Sequence, residues 1–291
     1  MWGEIMTLVN LPSHSSFALS RAKPLKQSAL LASVVALGAF TLPAAQAADW
    51  SVTEMHFQYG ELDTPTFVNN ASVSSDTRVI TLQNASGWKY GDTFFFVDYL
   101  DDDNGDSFNN GDFYGEIYLN FSMSKIFDRK FRKGGLSDIG FLLGVNAAAD
   151  AKVLKYLPGV RLSWDVPGFA FLNTDFTAYI DDSDGVTFSG APTEDDSYML
   201  DINWMYPFEI GNQQFNIQGH IEFIGARTNE FGEPVKNWVL AQPQIRWDMG
   251  NAMFNQKNQL FVGIEYQYWN NKLGDANTDE SAVQLLVVWQ F

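Results

Sequence analysis

Strict alternation of polar and apolar residues is the feature that most limits what this chain can become. Gln214–Phe223 shows it plainly: Gln214, Asn216, Gln218, His220 and Glu222 take one parity, and Phe215, Ile217, Gly219, Ile221 and Phe223 the other. Successive side chains of an extended strand point to opposite faces, so this pattern makes a two-faced strand and fits no helix. Glu116–Ser124 repeats it, with Glu116, Tyr118, Asn120, Ser122 and Ser124 opposite Ile117, Leu119, Phe121 and Met123. Leu260, Val262, Ile264, Tyr266 and Tyr268 form another apolar row, and Val283, Leu285, Val287, Trp289 and Phe291 a third. Eight further segments follow at about 50–60, 77–85, 88–99, 139–148, 157–166, 169–180, 197–206 and 238–248, of which 88–99 alternates poorly. The expectation is about twelve strands in one all-β domain over 48–291.

Connections alternate in character. One set is short, at Ser86-Gly87, Pro167-Gly168 and Pro207 to Gly211, with longer members at Asp128–Gly135 and Met249–Asn258. The other set is longer and acidic: Asp101-Asp102-Asp103 to Asp106 and Asp112, Asp181-Asp182 and Asp184, Glu194-Asp195-Asp196, and Asp275 to Asp279-Glu280. Tight turns at one end and long loops at the other are the mark of an up-and-down antiparallel barrel.

Alternation alone does not orient the faces. A soluble periplasmic β-sandwich would turn the apolar face inward; a transmembrane β-barrel turns it to lipid. The row Tyr198, Leu200, Ile202, Trp204, Tyr206 runs aromatic, aliphatic, aromatic, as a strand crossing two membrane interfaces would. Twelve strands also enclose more space than side chains fill, which suits a wet lumen. The final apolar strand, ending in Phe291, is like the assembly signal of outer-membrane barrels. The transmembrane barrel is therefore preferred. Pro243, on an apolar face, belongs near a rim, a bulge or the interface, since it removes a ladder donor.

The first 47 residues read as a cleaved secretory signal. Arg21, Lys23 and Lys26 precede the apolar run Leu30–Leu42, and Ala45-Gln46-Ala47 supplies a small-x-small cleavage site, behind an unusually long lead. That run is too short to span a bilayer, which takes about 20 residues.

Charge and composition narrow the function. Asp and Glu number 35 against 18 Lys and Arg, for a net charge of −17, so nucleic acid is not an expected partner. The chain has no Cys and three His, which leaves little for a metal site, and no cofactor or metal is expected. The acidic run from Asp101 has Asp112 where a calcium loop would carry its bidentate Glu, so a solvated loop near lipopolysaccharide and its bridging cations is the simpler reading. Arg129, Lys130, Arg132 and Lys133 read as a solvated periplasmic turn. Nucleophile-elbow, dinucleotide and HExxH motifs are missing, and the chain is not expected to be an enzyme.

Parity places Glu116, Tyr118, Asn120, Arg161, Phe171, Asn173, Asp175, Asp201, Asn203, His220, Glu222, Gln244, Arg246 and Glu265 in the lumen, together with Glu54, His56, Tyr179, Gln218 and Gln242. Such a lining disfavours anions, offers Tyr118, Phe171 and Tyr179 to stack on a ring, and offers amides and carboxylates to hydroxyls. Arg161 and Arg246 are expected to brace the wall against carboxylates.

Four stretches carry a family resemblance: Trp88–Asp98 (WKYGDTFFFVD), Tyr114–Ile126 (YGEIYLNFSMSKI), Tyr156–Tyr179 (YLPGVRLSWDVPGFAFLNTDFTAY) and Trp289-Gln290-Phe291. In these the chain resembles the nucleoside-specific channel-forming (Tsx-like, OmpK-like) outer-membrane proteins. The resemblance implies a monomeric twelve-stranded barrel that passes nucleosides, with surface loops that can serve bacteriophages as receptors. A general narrow porin and a non-conducting surface receptor are the alternatives.

Overall fold

The computed structural model describes residues 48–102, 108–129 and 134–291. The leader over 1–47, Asp103 to Asp106 of the acidic run, and Lys130, Arg132 and Lys133 lie outside them.

Twelve antiparallel strands close on themselves. They are β1 (Ala48–Thr64), β2 (Val73–Trp88), β3 (Gly91–Asp102), β4 (Asn110–Ser122), β5 (Leu136–Ala148), β6 (Val153–Trp164), β7 (Phe171–Asp181), β8 (Ser197–Ile210), β9 (Gln213–Ile224), β10 in two pieces (Trp238–Ala241 and Gln244–Asp248), β11 (Leu260–Asn270) and β12 (Glu280–Gln290). Each pairs with its neighbours in sequence, and β1 closes the wall against β12 from Glu54 opposite Gln290 to Tyr59 opposite Leu285. A closed wall has no edge, so every strand finds a backbone partner on both sides.

The outside is apolar all the way round. Phe57, Ile80, Leu82, Phe141, Val160, Phe176, Ile202, Ile221, Ile245, Ile264, Leu285 and Val287 are exposed there. The opposite parity is polar and buried: Glu54, His56, Asp175, Asp201, Glu222, Gln244, Arg246, Glu265 and Gln284 point inward. An exposed apolar belt of this extent is untenable in water and is the lipid face of an outer-membrane barrel. No described helix is long and apolar enough to cross a membrane, which says nothing of strands.

The two ends differ. At one end β2 turns into β3 over Lys89-Tyr90, and β8 into β9 over Gly211-Asn212. Two longer connections there carry short helices. Met123–Phe127 is capped by the Ser122 hydroxyl, which accepts from the Lys125 amide (3.1 Å), and Met249–Phe254 by the Asp248 carboxylate, which accepts from the Asn251 amide (2.8 Å). Short connections face the periplasm in such barrels, and the longer loops at the other end face outward.

Several boundaries depart from the sequence reading. Ser86-Gly87 is not a turn but the end of β2, where a Cβ on Gly87 would strike the Trp50 indole. β8 continues through Pro207, opposite Asn216, to Ile210. Met123 and Ser124 leave the strand because Ser122 caps a helix. In β3 the inner row is Asp92, Phe94, Phe96 and Asp98, and the outer row Thr93, Phe95, Val97 and Tyr99; rings on both faces blur the alternation. Pro243 sits mid-strand rather than at a rim. β10 breaks there, and Gly219 (φ 148°) opposite lets the Gln242–Pro243 backbone approach closely.

The lipid-face assignment yields a test. Leu285→Arg, at the middle of β12, should destabilise the folded barrel by about 2–4 kcal/mol. Reversible guanidinium unfolding in lipid vesicles reads the difference, and an unchanged midpoint would put Leu285 elsewhere than in the bilayer.

Candidate permeation lumen

The barrel encloses a cavity of about 2010 Å³. Its lining runs from Trp50, Asp248 and Gln290 at the periplasmic end to Asn109, Lys236 and Asn277 at the outer end. Glu116, Tyr118, Arg161, Phe171, Asn173, Asp175, Asp201, Asn203, His220, Glu222, Gln244, Arg246 and Glu265 all line it, as do Glu54, His56, Tyr179, Gln218 and Gln242. Asn120 points the same way but is buried against the wall at Gly140, and its Nδ2 donates to Asp92 (2.8 Å).

A hydrogen-bonded chain links these side chains around the wall. Arg161 grips Asp175 with Nε and Nη2 (2.8 and 2.7 Å) and reaches past β5 and β4 to Asp92 (3.2 Å). Asn203 joins Asp175 (3.2 Å) to Asp201 (2.8 Å). His220 spans from Asp201 (3.0 Å) to the Gln242 side-chain oxygen (2.9 Å). Gln242 donates on to Gln267 (2.9 Å), while Glu265 accepts from Gln244 (2.5 Å) and Gln284 (3.0 Å). Arg246 then donates to Gln244 (2.7 Å) and Glu54 (3.0 Å), with Gln218 placed to accept from it as well. Glu54 in turn holds His56 (2.9 Å) and accepts from Gln83 (2.8 Å). A charge-assisted network of this kind fixes the shape of a polar lining. Gly263 lies opposite Arg246, where a Cβ would press on the Ile245–Arg246 backbone.

Rings and polar groups share the lining. β3 and β4 present Phe94, Phe96, Tyr114 and Tyr118, with centroids 6.1 Å apart for Phe94–Phe96 and 5.9 Å for Phe96–Tyr114. Tyr118 lies over Gly144, which a Cβ would push away, and donates its hydroxyl to Asn146 (3.2 Å). Tyr114 donates to Glu116. Asp92, Asp98 and Glu116 stand among these rings, and across the lumen β8 to β12 carry most of the amides and carboxylates just described. Apolar side chains share the interior. Leu157, Tyr179, Met199, Ile224 and Trp238 form a buried cluster toward the outer end, and Phe261, Leu286 and Val288 a smaller one toward the periplasm.

Parity counting missed several inward groups. Lys155 falls just before the segment recognised for β6, and the apolar Leu157 beside it hides the pattern. Arg227 and Glu194 come from loops, where period two gives no signal. Asp92 and Asp98 lie in the poorly alternating β3.

The outer loops are stitched to one another. Asp195 donates its amide to the Thr228 carbonyl (2.8 Å), and Glu230 to Thr193 (2.9 Å). Lys236 donates to Gly274 (3.0 Å), and Ala191 to Ala151 (2.7 Å). Lys272 ties Glu280 and the Asp63 carbonyl (2.6 Å each). Asp112, considered above for calcium, accepts from the amides of Phe113 and Asp150 (2.7 and 3.0 Å) and so braces a turn. Asp275 joins the loop after β11 to the loop after β1. Burial would push its carboxyl up. The Thr278 and Thr66 hydroxyls and the Asn277 and Thr66 amides outweigh this and hold it below the ordinary aspartate value.

Two outcomes follow for this lining. Arg246→Met takes the guanidinium from the buried Glu54 carboxylate, leaving it His56 and Gln83, and should cost about 3–5 kcal/mol in chemical unfolding, much of it regained in Arg246→Met/Glu54→Gln. For Asp275, a lowered folded value means its stabilisation is complete above the unfolded aspartate range and is lost as pH falls through the lowered value. Protection of the Thr66 and Asn277 amides, relative to intrinsic exchange, should therefore fall in that acid window, and Asp275→Asn should abolish this pH dependence of the protection.

No protein-family model matches the chain, and no curated protein matches it. Among solved structures it is similar to the NanC porin in a rhombohedral crystal form, at 12% identity and a TM-score of 0.48, over 81% of this chain and 98% of that one. The KdgM porin follows at 8% identity and 0.44, over 82% and 99%. The translocator domain of the autotransporter NalP from Neisseria meningitidis gives 9% and 0.37, over 93% and 100%. At such identities the chemistry of the lumen has to be read from its own side chains.

Proposed function

We propose that the barrel is a monomeric, passive outer-membrane channel for nucleosides or similarly small, neutral polar solutes. The observation that carries this reading is the pairing of an aromatic rail, Phe94, Phe96, Tyr114 and Tyr118 on β3 and β4, with the amides and carboxylates that share the lumen. A nucleoside has one stackable ring and one hydroxyl-bearing sugar, and the rail and the polar groups match the two halves. Stacking on a ring such as Tyr118 contributes about 1–3 kcal/mol. Binding this weak also lets a permeant leave.

Charge supports the same class. Arg161, Arg246, Lys155, Arg227 and Lys272 are each held in a salt bridge, which leaves them poorly placed to attract phosphate. Glu116, Glu222 and Glu265 accept from neutral side chains, from Asn146, Trp238 and Gln244 among others. The field along the lumen therefore repels anions and leaves neutral solutes unhindered. The family resemblance implies a second role for the same barrel, as a surface receptor that bacteriophages engage.

Planar-bilayer recording tests the channel. Purified protein should give small conductance steps that adenosine or thymidine partly blocks, and Tyr118→Ala should raise the half-blocking concentration about five- to a hundredfold. Steps insensitive to nucleosides, with sugars passing equally well, would instead make it a general narrow porin. Absence of any conductance would leave the receptor role.

A further inference from the structure

At the outer mouth one carboxylate oxygen does the work of several. Glu194 Oε2, from the loop after β7, accepts from Lys155 Nζ (2.7 Å) and from Arg227 Nε and Nη2 (2.8 Å each). Lys155 and Arg227 are almost wholly buried, with side-chain exposures of 4% and 1%. The Arg227 guanidinium lies 4.3 Å over the Trp238 ring, and both cations flank Tyr179. Asp181 gives Lys155 a second carboxylate (2.9 Å), whereas among the described residues the other acceptor of Arg227 is the Gly225 carbonyl (3.3 Å). All of these side chains but Asp181 line the cavity.

We propose that Glu194 sets the charge selectivity of the channel, a step that rests on the channel reading above. The fork of Arg227 is held flat on an aromatic ring with Lys155 beside it, an arrangement preformed for a carboxylate. Glu194 fills it from within the chain, so this buried pair of cations is closed to an entering acid. Without that carboxylate a buried guanidinium is left uncompensated. It then draws its counter-anion from the solution, and the mouth becomes a binding site for small carboxylates such as sugar acids.

Two variants with opposite expected signs test this. In a potassium chloride gradient across a planar bilayer, the parent protein should prefer cations, and glucuronate should not alter its conductance. Glu194→Gln should shift the reversal potential toward anion permeation and should admit block by glucuronate at a concentration about tenfold below any acting on the parent, the scale of one charge-assisted hydrogen bond. Arg227→Gln, with Glu194 retained, should shift the reversal potential the other way. A gel run before and after boiling confirms that each variant forms an intact barrel, and Glu194→Asp serves if Glu194→Gln does not: its shorter carboxylate should give a smaller shift of the same sign as Glu194→Gln. A folded Glu194→Gln barrel with the parent's ion preference and no glucuronate block would overturn the proposal, as would shifts of the same sign in Glu194→Gln and Arg227→Gln. Failure of the parent itself to conduct would sink the channel reading instead.

Discussion

Hydrocarbon offers no partner to a backbone amide. Each N–H and C=O that crosses the membrane must therefore be satisfied within the wall, and only a closed ladder does this for strands. The remaining architecture follows from that requirement. Closure forces side chains alternately into lipid and into the interior, and this is why period two runs through strand after strand. Departures from the ladder are few and local. The mid-strand break at Pro243 is taken up where Gly219 has no side chain to obstruct it.

A ring of twelve strands leaves an interior that side chains cannot fill with grease alone, and this one is filled in two ways. Around the wall runs a chain of ion pairs and amide contacts from Asp92 through Arg161, Asp175, Asp201, His220 and Arg246 to Glu54. Toward each end an apolar cluster narrows the space. The polar chain gives the lining a defined shape, and the clusters limit its bore. Loops from neighbouring hairpins add a collar in which Glu194 and Asp275 each bind several donors.

Much of this was legible before any coordinates. The twelve strands and their two faces follow from alternation; that Arg161, Asp201, His220 and Glu265 turn inward follows once the rings at the ends of the Tyr198–Tyr206 row and the number of strands set the other face to lipid. Legibility failed where other forces override the period. Phe94, Phe95 and Phe96 put rings on both faces of β3, one face for lipid and one for the lumen. Gly87 resembles a turn residue but is needed small beside Trp50. Ser122 ends its strand because its hydroxyl caps a helix. Glu194 and Arg227 meet only through loop docking, which no local pattern announces.

The seam between β1 and β12 differs from the others. The β1–β2 ladder runs from Ala48 to Thr64, whereas β1 meets β12 only from Glu54 to Tyr59. Above it, the outer stretch of β1 is held to the far side by single contacts, the Asp63 amide on Glu280 (2.5 Å) and Lys272 on the Asp63 carbonyl. This is the zip fastener of the cylinder: the joint where the first strand meets the last, and the shortest stretch of ladder along which an opened ring has to be brought back into register.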